Sequence, residues 1–264
     1  MVGRPSAGPR DVGDRLQRGF FARKQIFSKV RIIAWSHRRR FETGLEIAKS
    51  FAGGSVLDYG CGDGTFLAML ANSPSPPRRA VGAECEKGII EDCRSRLGDL
   101  PGLRFVHQDD LRGDDHVGKY DAIFCMEVLE HVVDLRPVLD LFPGLLAPSG
   151  KLVISVPVEV GLPLLVKHAA RHVASWTGTY PAVTPYTFRE MAASVLAGPR
   201  SVFARNLHTG AEGLPYYDHQ GFNWMALRRD LLNGLAIERT VTSPITWLPP
   251  HLSSQVWFIA RLKH

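Results

Sequence analysis

The densest chemistry in the sequence is Asp58-Tyr-Gly60-Cys61-Gly62-Asp-Gly64, directly after the apolar run Ser55–Tyr59. Glycine admits positive φ and lets the backbone approach a ligand with no Cβ in the way. The spacing is GxGxG, not the GxGxxG that seats a dinucleotide pyrophosphate. Asp58, just ahead of the loop, suits a cationic or amino-bearing ligand. Glu84 lies 20 residues beyond Gly64 and closes a second apolar run. A carboxylate there can accept both hydroxyls of a ribose. Asp109, after a third run, is placed to accept from an adenine amino group. The three features in this order, each at the carboxyl end of an expected strand, form one pattern.

A second group can move protons. Glu127, Glu130 and His131 have i, i+3, i+4 spacing, which gathers oxygen and nitrogen atoms on one face of a helix. His219, in His-Gln-Gly-Phe-Asn-Trp224, begins a later helix. Glu127, His131 and His219 are the catalytic candidates, with Glu130 beside them. An oxygen nucleophile needs such a base.

These residues need a scaffold. Strands are expected at Ser55–Tyr59, Ala80–Ala83, Leu103–His107, Tyr120–Cys125 and Lys151–Val156. Helices are expected at Thr65–Ala71, Gly88–Leu97 and Leu135–Leu146, the last ending at Pro148-Ser-Gly150. This alternation predicts an α/β fold, a doubly wound parallel sheet covered on both faces. Residues 158–220 read as helical fragments broken by prolines, a cap over the acceptor. A helix at Phe222–Asn233 precedes two strands, Ala236–Thr242 and Gln255–Leu262, with no helix between them. They are expected to form an antiparallel hairpin at the sheet edge.

Composition bounds the classes. The 264 residues are 45% hydrophobic and 22% charged, which excludes wholesale disorder. Four cysteines without a CxxC pair give neither a disulfide scaffold nor a zinc ribbon, and point to a reducing, cytoplasmic setting. The best apolar stretch, Leu152–Val166, is short and holds Pro157, Glu159 and Pro163, so no membrane span is expected. Residues 1–40 hold 11 basic and 2 acidic side chains, a net +9 against the whole chain's +6, so the remainder carries −3. Residues 1–50 are therefore set apart as a basic extension and 51–264 as the main domain. Residues 1–13 are rich in Gly, Pro and Arg and read as mobile. Residues 14–51 carry helical periodicity, with Leu16, Phe20, Phe27, Val30 and Ala34 on one side. That side could pack on the domain, cover a pocket or rest on a membrane. Ser36-His-Arg-Arg-Arg40 is too short for a nucleic-acid patch.

Asp58–Gly64, Val81-Gly-Ala-Glu84, Tyr120–Val132 and Leu145–Ile154 resemble motifs of the class I S-adenosylmethionine-dependent methyltransferases. Cys125-Met126-Glu-Val-Leu-Glu-His131 is most similar to the ubiquinone-biosynthesis type of O-methyltransferase. The resemblance implies a Rossmann-like sheet of seven strands with a reversed last strand, and S-adenosylmethionine as cofactor. It implies that Asp58, Gly60 and Gly62 line the methionine part, Glu84 holds the ribose, and Asp109 with Asp110 or Leu111 frames the adenine. Cys61 and Met126 belong to the same cofactor-contacting set.

The expected reaction is in-line transfer of a methyl group to a small acceptor, most simply at oxygen, the acceptor being lipid-like or aromatic. No metal is assigned. Glu127-x-x-Glu130-His131 also resembles the metal-holding motif of small-RNA 2′-O-methyltransferases, with His168 or His172 as a later ligand. That gives one alternative, and a non-catalytic cofactor-binding module gives another. Nucleic acid is disfavoured by the acidic body. Peripheral membrane contact through residues 14–40 is the further partner expectation.

Overall fold

The computed structural model describes residues 9–176 and 186–263, without the side chains of 9–11 and 170–176. Three helices lead: α1 (Pro9–Arg18), α2 (Phe20–Lys24) and α3 (Arg31–Ala48). The alternating region follows as β1 (Ser55–Tyr59), α4 (Thr65–Ala71), β2 (Arg79–Glu84), α5 (Lys87–Leu97), β3 (Leu103–His107), β4 (Tyr120–Met126), α6 (Leu135–Leu145) and β5 (Leu146–Pro157). After β5 come α7 (Leu162–Trp176), α8 (Phe188–Val195) and the small hairpin of β6 (Leu207–Thr209) and β7 (Pro215–Tyr217). The chain closes with α9 (Trp224–Leu231), β8 (Leu235–Ser243) and β9 (Gln255–Leu262).

The seven-stranded sheet runs in the order β3-β2-β1-β4-β5-β9-β8. β1 to β5 pair in parallel, and β9 is antiparallel to both β5 and β8. This is the expected doubly wound sheet with its terminal hairpin, β9 inserted and β8 at the edge. Successive strand residues face opposite layers. Val56, Phe124, Val153 and Trp257 enter one core, and Leu57, Ile123, Leu152 and Phe258 the other. The first core is closed by α3, α4 and α5, and also by Val12, Leu16 and Ile26. The N-terminal helices therefore share the core of the sheet. The second core is closed by Phe142 and Leu145 of α6 and by Leu227 and Leu231 of α9.

Two local features differ from expectation. Residues 207–217, expected to be helical, form the β6–β7 hairpin, turning at Gly213 with φ +77°. Three-residue strands are too short to show the period-2 pattern by which strands are recognised. Pro148–Gly150 does not precede the fifth strand but is taken into it, where the register jumps between Tyr120/Leu146 and Ala122/Lys151.

Candidate functional site

Strand order reverses direction at β1, with β2 on one side and β4 on the other. The carboxyl ends of β1 and β4 therefore open a crevice, where open α/β sheets bind ligands. The glycine loop turns there. Gly60, Gly62 and Gly64 have φ of +72°, +52° and +72°. A Cβ on Gly60 would lie 2.4 Å from Cγ2 of Val128. Gly64 ends the loop in the left-handed region and caps α4. The spacing in the sequence thus reflects a turn that side chains would block.

Glu84 braces this loop. One carboxylate oxygen accepts from the Gly62 N–H at 3.0 Å, and the other from the Cys85 N–H at 2.7 Å. Asp58 is buried beneath it. Burial, then the nearby Glu84 charge, pushes the Asp58 carboxyl up to about 8, against the opposing pull of Arg40. Cys61 is buried with its thiol toward the Gly62 carbonyl, and Met126 packs on Gly44. The adenine-side residues differ among themselves. The Asp109 side chain is 91% exposed. Asp110 accepts from the His107 N–H at 3.2 Å, closing a capping box. Leu111 is wholly buried in the core.

Across the crevice, α3 presents groups that the sequence reading did not single out. Its buried stripe runs Ala34, Phe41, Gly44, Ile47 and Ala48, and Arg40 falls on it. The Arg40 guanidinium donates to Gln25 Oε1 at 2.8 Å and lies 3.7 Å from Glu127. Burial lowers its pKa, while Glu127, Glu130 and Asp58 hold its charge in place. Arg40 Nε is buried with no hydrogen-bond partner among the described residues. His37, one turn earlier, is driven down to about 3 by burial, then Arg40 and His219, so its ring is neutral at pH 7. The available signal was a charged residue in phase with an apolar stripe. It was masked by the neighbouring arginines.

Glu127 has φ +56° and is the one non-glycine described residue in the left-handed region. Backbone strain of this kind collects at functional sites. Its carboxylate accepts from the Ser155 hydroxyl at 3.3 Å. Glu130 is fully buried. Burial, then the Glu127 charge, pushes its carboxyl well above the carboxylate range. Neither Glu130 oxygen has a hydrogen-bond partner among the described residues.

The two candidate histidines meet. Their rings lie 4.7 Å apart and perpendicular. His131 Nδ1 donates to the Tyr217 carbonyl at 2.7 Å, and the Tyr217 N–H returns to the His131 carbonyl at 3.0 Å. A carbonyl only accepts, so Nδ1 carries a proton, and in the neutral ring Nε2 is the acceptor nitrogen. Arg205 donates to the carbonyls of Glu130 and Asp218, joining the two segments that carry the histidines. Donor atoms of Glu130, His131 and His219 lie within 4.8 Å of one another, an arrangement able to hold a metal. His219 thus stands where a later metal-binding histidine was sought. His168 instead faces Tyr186 at 5.4 Å, and the His172 side chain lies outside the described residues.

The N-terminal helices roof the glycine loop. Asp63 accepts from the Ala22 N–H at 2.8 Å, and the Phe21 ring lies 3.2 Å from where a Cβ on Gly62 would be. Arg96 donates to the Asp63 carbonyl at 2.7 Å and to that of Arg15 at 3.4 Å. Next to His219, a cavity of about 250 Å³ is lined by Tyr186, Ser194, Phe203 and Gln220. A separate cleft of about 1340 Å³ runs between α3 and β8 towards the opposite edge of the sheet, and none of the candidate site residues lines it.

Known proteins resemble this chain in sequence and in fold. A family model described as a methyltransferase domain matches residues 34–228. A demethylmenaquinone methyltransferase of Clavibacter sepedonicus is 31% identical over 182 residues, 62% of this chain and 72% of its own length. A ubiquinone biosynthesis O-methyltransferase of Psychrobacter arcticus is 34% identical over 130 residues, 48% of either chain. The chain therefore spans about half of that relative, and only 30% of a transposon protein of Streptomyces fradiae. The crystal structure of the PH0226 protein from Pyrococcus horikoshii superposes with a TM-score of 0.57 at 15% identity, over 94% of this chain and 98% of that one. With most of the chain matched by one family model and the sheet order in agreement, the protein belongs to the class I S-adenosylmethionine-dependent methyltransferases.

Proposed function

We propose that this chain transfers the methyl group of S-adenosylmethionine to an oxygen of a small acceptor held under the cap. The observation that carries the reading is the His131 tautomer. Its Nδ1 proton is committed to the Tyr217 carbonyl, which leaves Nε2 to accept a proton from an acceptor hydroxyl. The relative named for O-methylation in ubiquinone biosynthesis supports oxygen as the atom methylated.

The residues present fit the cofactor. The glycine cradle has no room for a Cβ at Gly60, and the Glu84 carboxylate, which accepts the Gly62 and Cys85 N–H groups, has acceptor capacity left for a ribose hydroxyl. Arg40 brings a buried cation with an orphaned Nε, matched to the carboxylate of the methionine part. Asp58 would take its ammonium. When bound, the cofactor supplies an activated methyl on sulfur. This chain's residues supply proximity, orientation and the base. Glu127, with its carboxylate between Arg40 and Ser155, positions the far wall. His219, perpendicular to His131, would hold the acceptor against it.

The Glu130–His131–His219 arrangement favours one variant of this reading. A divalent cation held there would lower the pKa of the acceptor hydroxyl. RNA is the poorer acceptor, since residues beyond 40 carry −3.

The test is a panel of catechols and hydroxyquinones, with S-adenosylhomocysteine release as the readout, run before and after chelation. His131→Ala should lower kcat by roughly 10²- to 10⁴-fold, the usual worth of a general base. Binding of S-adenosylhomocysteine should be unchanged. Methylation at nitrogen or carbon, or full activity without His131, would overturn the proposal. Activity lost to chelator and restored by magnesium would select the metal-assisted variant.

A further inference from the structure

Three separate segments meet at the carboxyl edge of the sheet and turn apolar side chains outward. α3 runs antiparallel to the parallel strands, so its first turns, with Ile32 64% and Trp35 42% exposed, stand at this edge. The loop from β8 to β9 lies beside it. Arg39, one turn from Trp35, donates to the Pro244 carbonyl at 3.4 Å. The Thr242 hydroxyl lies within hydrogen-bond distance of the carbonyls of Ile245, Thr246 and Leu248. That bracing holds up Trp247, which is 80% exposed. The loop then reaches the start of α7, where Lys167 bonds the Ser254 carbonyl at 2.9 Å and Leu162 and Val166 are exposed. Scattered apolar residues on a surface are ordinary, but a joined rim with two tryptophans marks an interaction site.

The charge on this rim is mainly basic, with Glu42 paired to Arg39 at 2.6 Å. From Arg15 to Phe41 there are nine basic residues and no acidic one. The loop 244–252 and the α7 segment also contain no Asp or Glu. Lys29, Arg31 and Arg38 are exposed beside Ile32 and Trp35. Tryptophan and aliphatic side chains at the level of basic ones are the composition of a surface that rests on lipid headgroups. A second copy of the chain would set like charge against like charge across a two-fold axis. A nucleic acid would leave Ile32, Leu162 and Val166 unmatched.

We infer that this rim docks on an anionic lipid bilayer, with Trp35 and Trp247 in the headgroup layer and Lys29 and Arg31 on lipid phosphates. The sheet edge that carries the glycine loop then faces the membrane. The inference does not depend on which atom the enzyme methylates. It moves the expected contact from residues 14–40 alone to a surface shared with the 244–252 loop and α7. No helix among the described residues is long and apolar enough to span a bilayer, so the contact is interfacial.

The test is flotation of the full chain with vesicles of phosphatidylglycerol and phosphatidylcholine in equal parts, and with phosphatidylcholine alone. Binding to the anionic vesicles only, weakening with salt, is expected. Each basic residue near an anionic leaflet is worth roughly a fivefold change in affinity, so Lys29→Ala/Arg31→Ala should lose about thirtyfold. Trp35→Ser/Trp247→Ser should weaken binding by a similar factor while S-adenosylhomocysteine binding and melting temperature stay unchanged. Wild-type protein that ignores anionic vesicles overturns the inference. So does binding that is indifferent to the tryptophan changes, which would be bulk electrostatic adsorption. Concentration-dependent self-association removed by Trp247→Ser, without vesicle binding, would reassign the rim to a second copy.

Discussion

The two walls of the crevice are built on different physical terms. The glycine-loop wall is a steric mould. Its shape comes from three backbones at positive φ, packed so closely that Val128 already fills the space a Gly60 Cβ would need. The facing wall is a polar network. Arg40, Glu127, Glu130, His37, His131 and His219 are gathered from α3, the end of β4 and the cap. A mould fails abruptly when atoms are added. A network instead shifts protons and charge when atoms are removed. Binding of the cofactor is then a matter of shape, and turnover a matter of protonation.

The largest effect should come from adding one methyl group to the mould. Gly60→Ala meets both a positive φ and a 2.4 Å contact. Calorimetric titration should show S-adenosylhomocysteine affinity falling on the order of a hundredfold or more, about 3 kcal/mol. Val128→Ala in the same chain should restore part of that loss, since it removes the clashing atoms but not the backbone strain. If the double variant binds no better than Gly60→Ala, the mould is set by φ alone.

Next comes the network's central cation. Arg40→Met leaves Glu127 without its guanidinium in a buried setting. Breaking a buried pair at one partner typically costs about 3–5 kcal/mol, read from urea unfolding. Arg40→Lys should recover charge but not the donor to Gln25. A loss below about 1 kcal/mol would mean that Arg40 and Glu127 are solvated enough to ignore each other.

Asp58 belongs to both walls and gives a pH test. Its carboxyl sits at about 8 in the ligand-free protein, raised by burial and then by Glu84. Between its ordinary range near 4 and about 8, the folded state holds a proton that the unfolded state has released. Stability of the ligand-free protein should therefore fall as pH rises through that window. A cationic ligand favours the ionised form. Affinity for S-adenosylmethionine should therefore rise by up to about tenfold per unit from pH 6 to 8, then level off. Asp58→Asn should flatten both curves, binding the cofactor about tenfold more weakly at pH 8 while melting higher. His37 acts oppositely on stability. With its ring at about 3, it favours the fold above its ordinary range, and that contribution is lost as pH falls from about 6.5 towards 3.

The same contrast explains how much of the molecule is legible in its sequence. The mould was legible because glycine has few other reasons to recur at every second residue after an apolar run. The alternation of β1 to β5 was legible because each strand is buried on both faces and bounded by turn residues. The network was half legible. Glu127, His131 and His219 stood out by type and spacing, whereas Arg40 and His37 were hidden in a basic run that looked like surface. Only the packing of α3 against the sheet reveals which arginine of Arg38-Arg39-Arg40 turns inward. The β6–β7 hairpin was illegible because three residues carry no period. Arg205 was illegible because its partners are carbonyls, which every residue has.

The smallest effect should come from the adenine side, and it separates the two acids that close successive strands. Glu84 accepts two backbone N–H groups and braces Gly62, so Glu84→Ala removes a ribose acceptor and loosens the mould together. Asp109 is 91% exposed, and the His107 ring lies 3.3 Å from its carboxylate. A hydrogen bond made by so exposed a carboxylate competes with water on nearly equal terms, leaving roughly 0.5–1 kcal/mol net. Asp109→Ala should therefore weaken S-adenosylhomocysteine binding by no more than about fivefold, with inosine-based analogues discriminated nearly as well as before. A loss as large as that of Glu84→Ala would mean that the 107–111 turn closes over the adenine on binding and buries Asp109. The adenine side would then be part of the mould rather than its open rim.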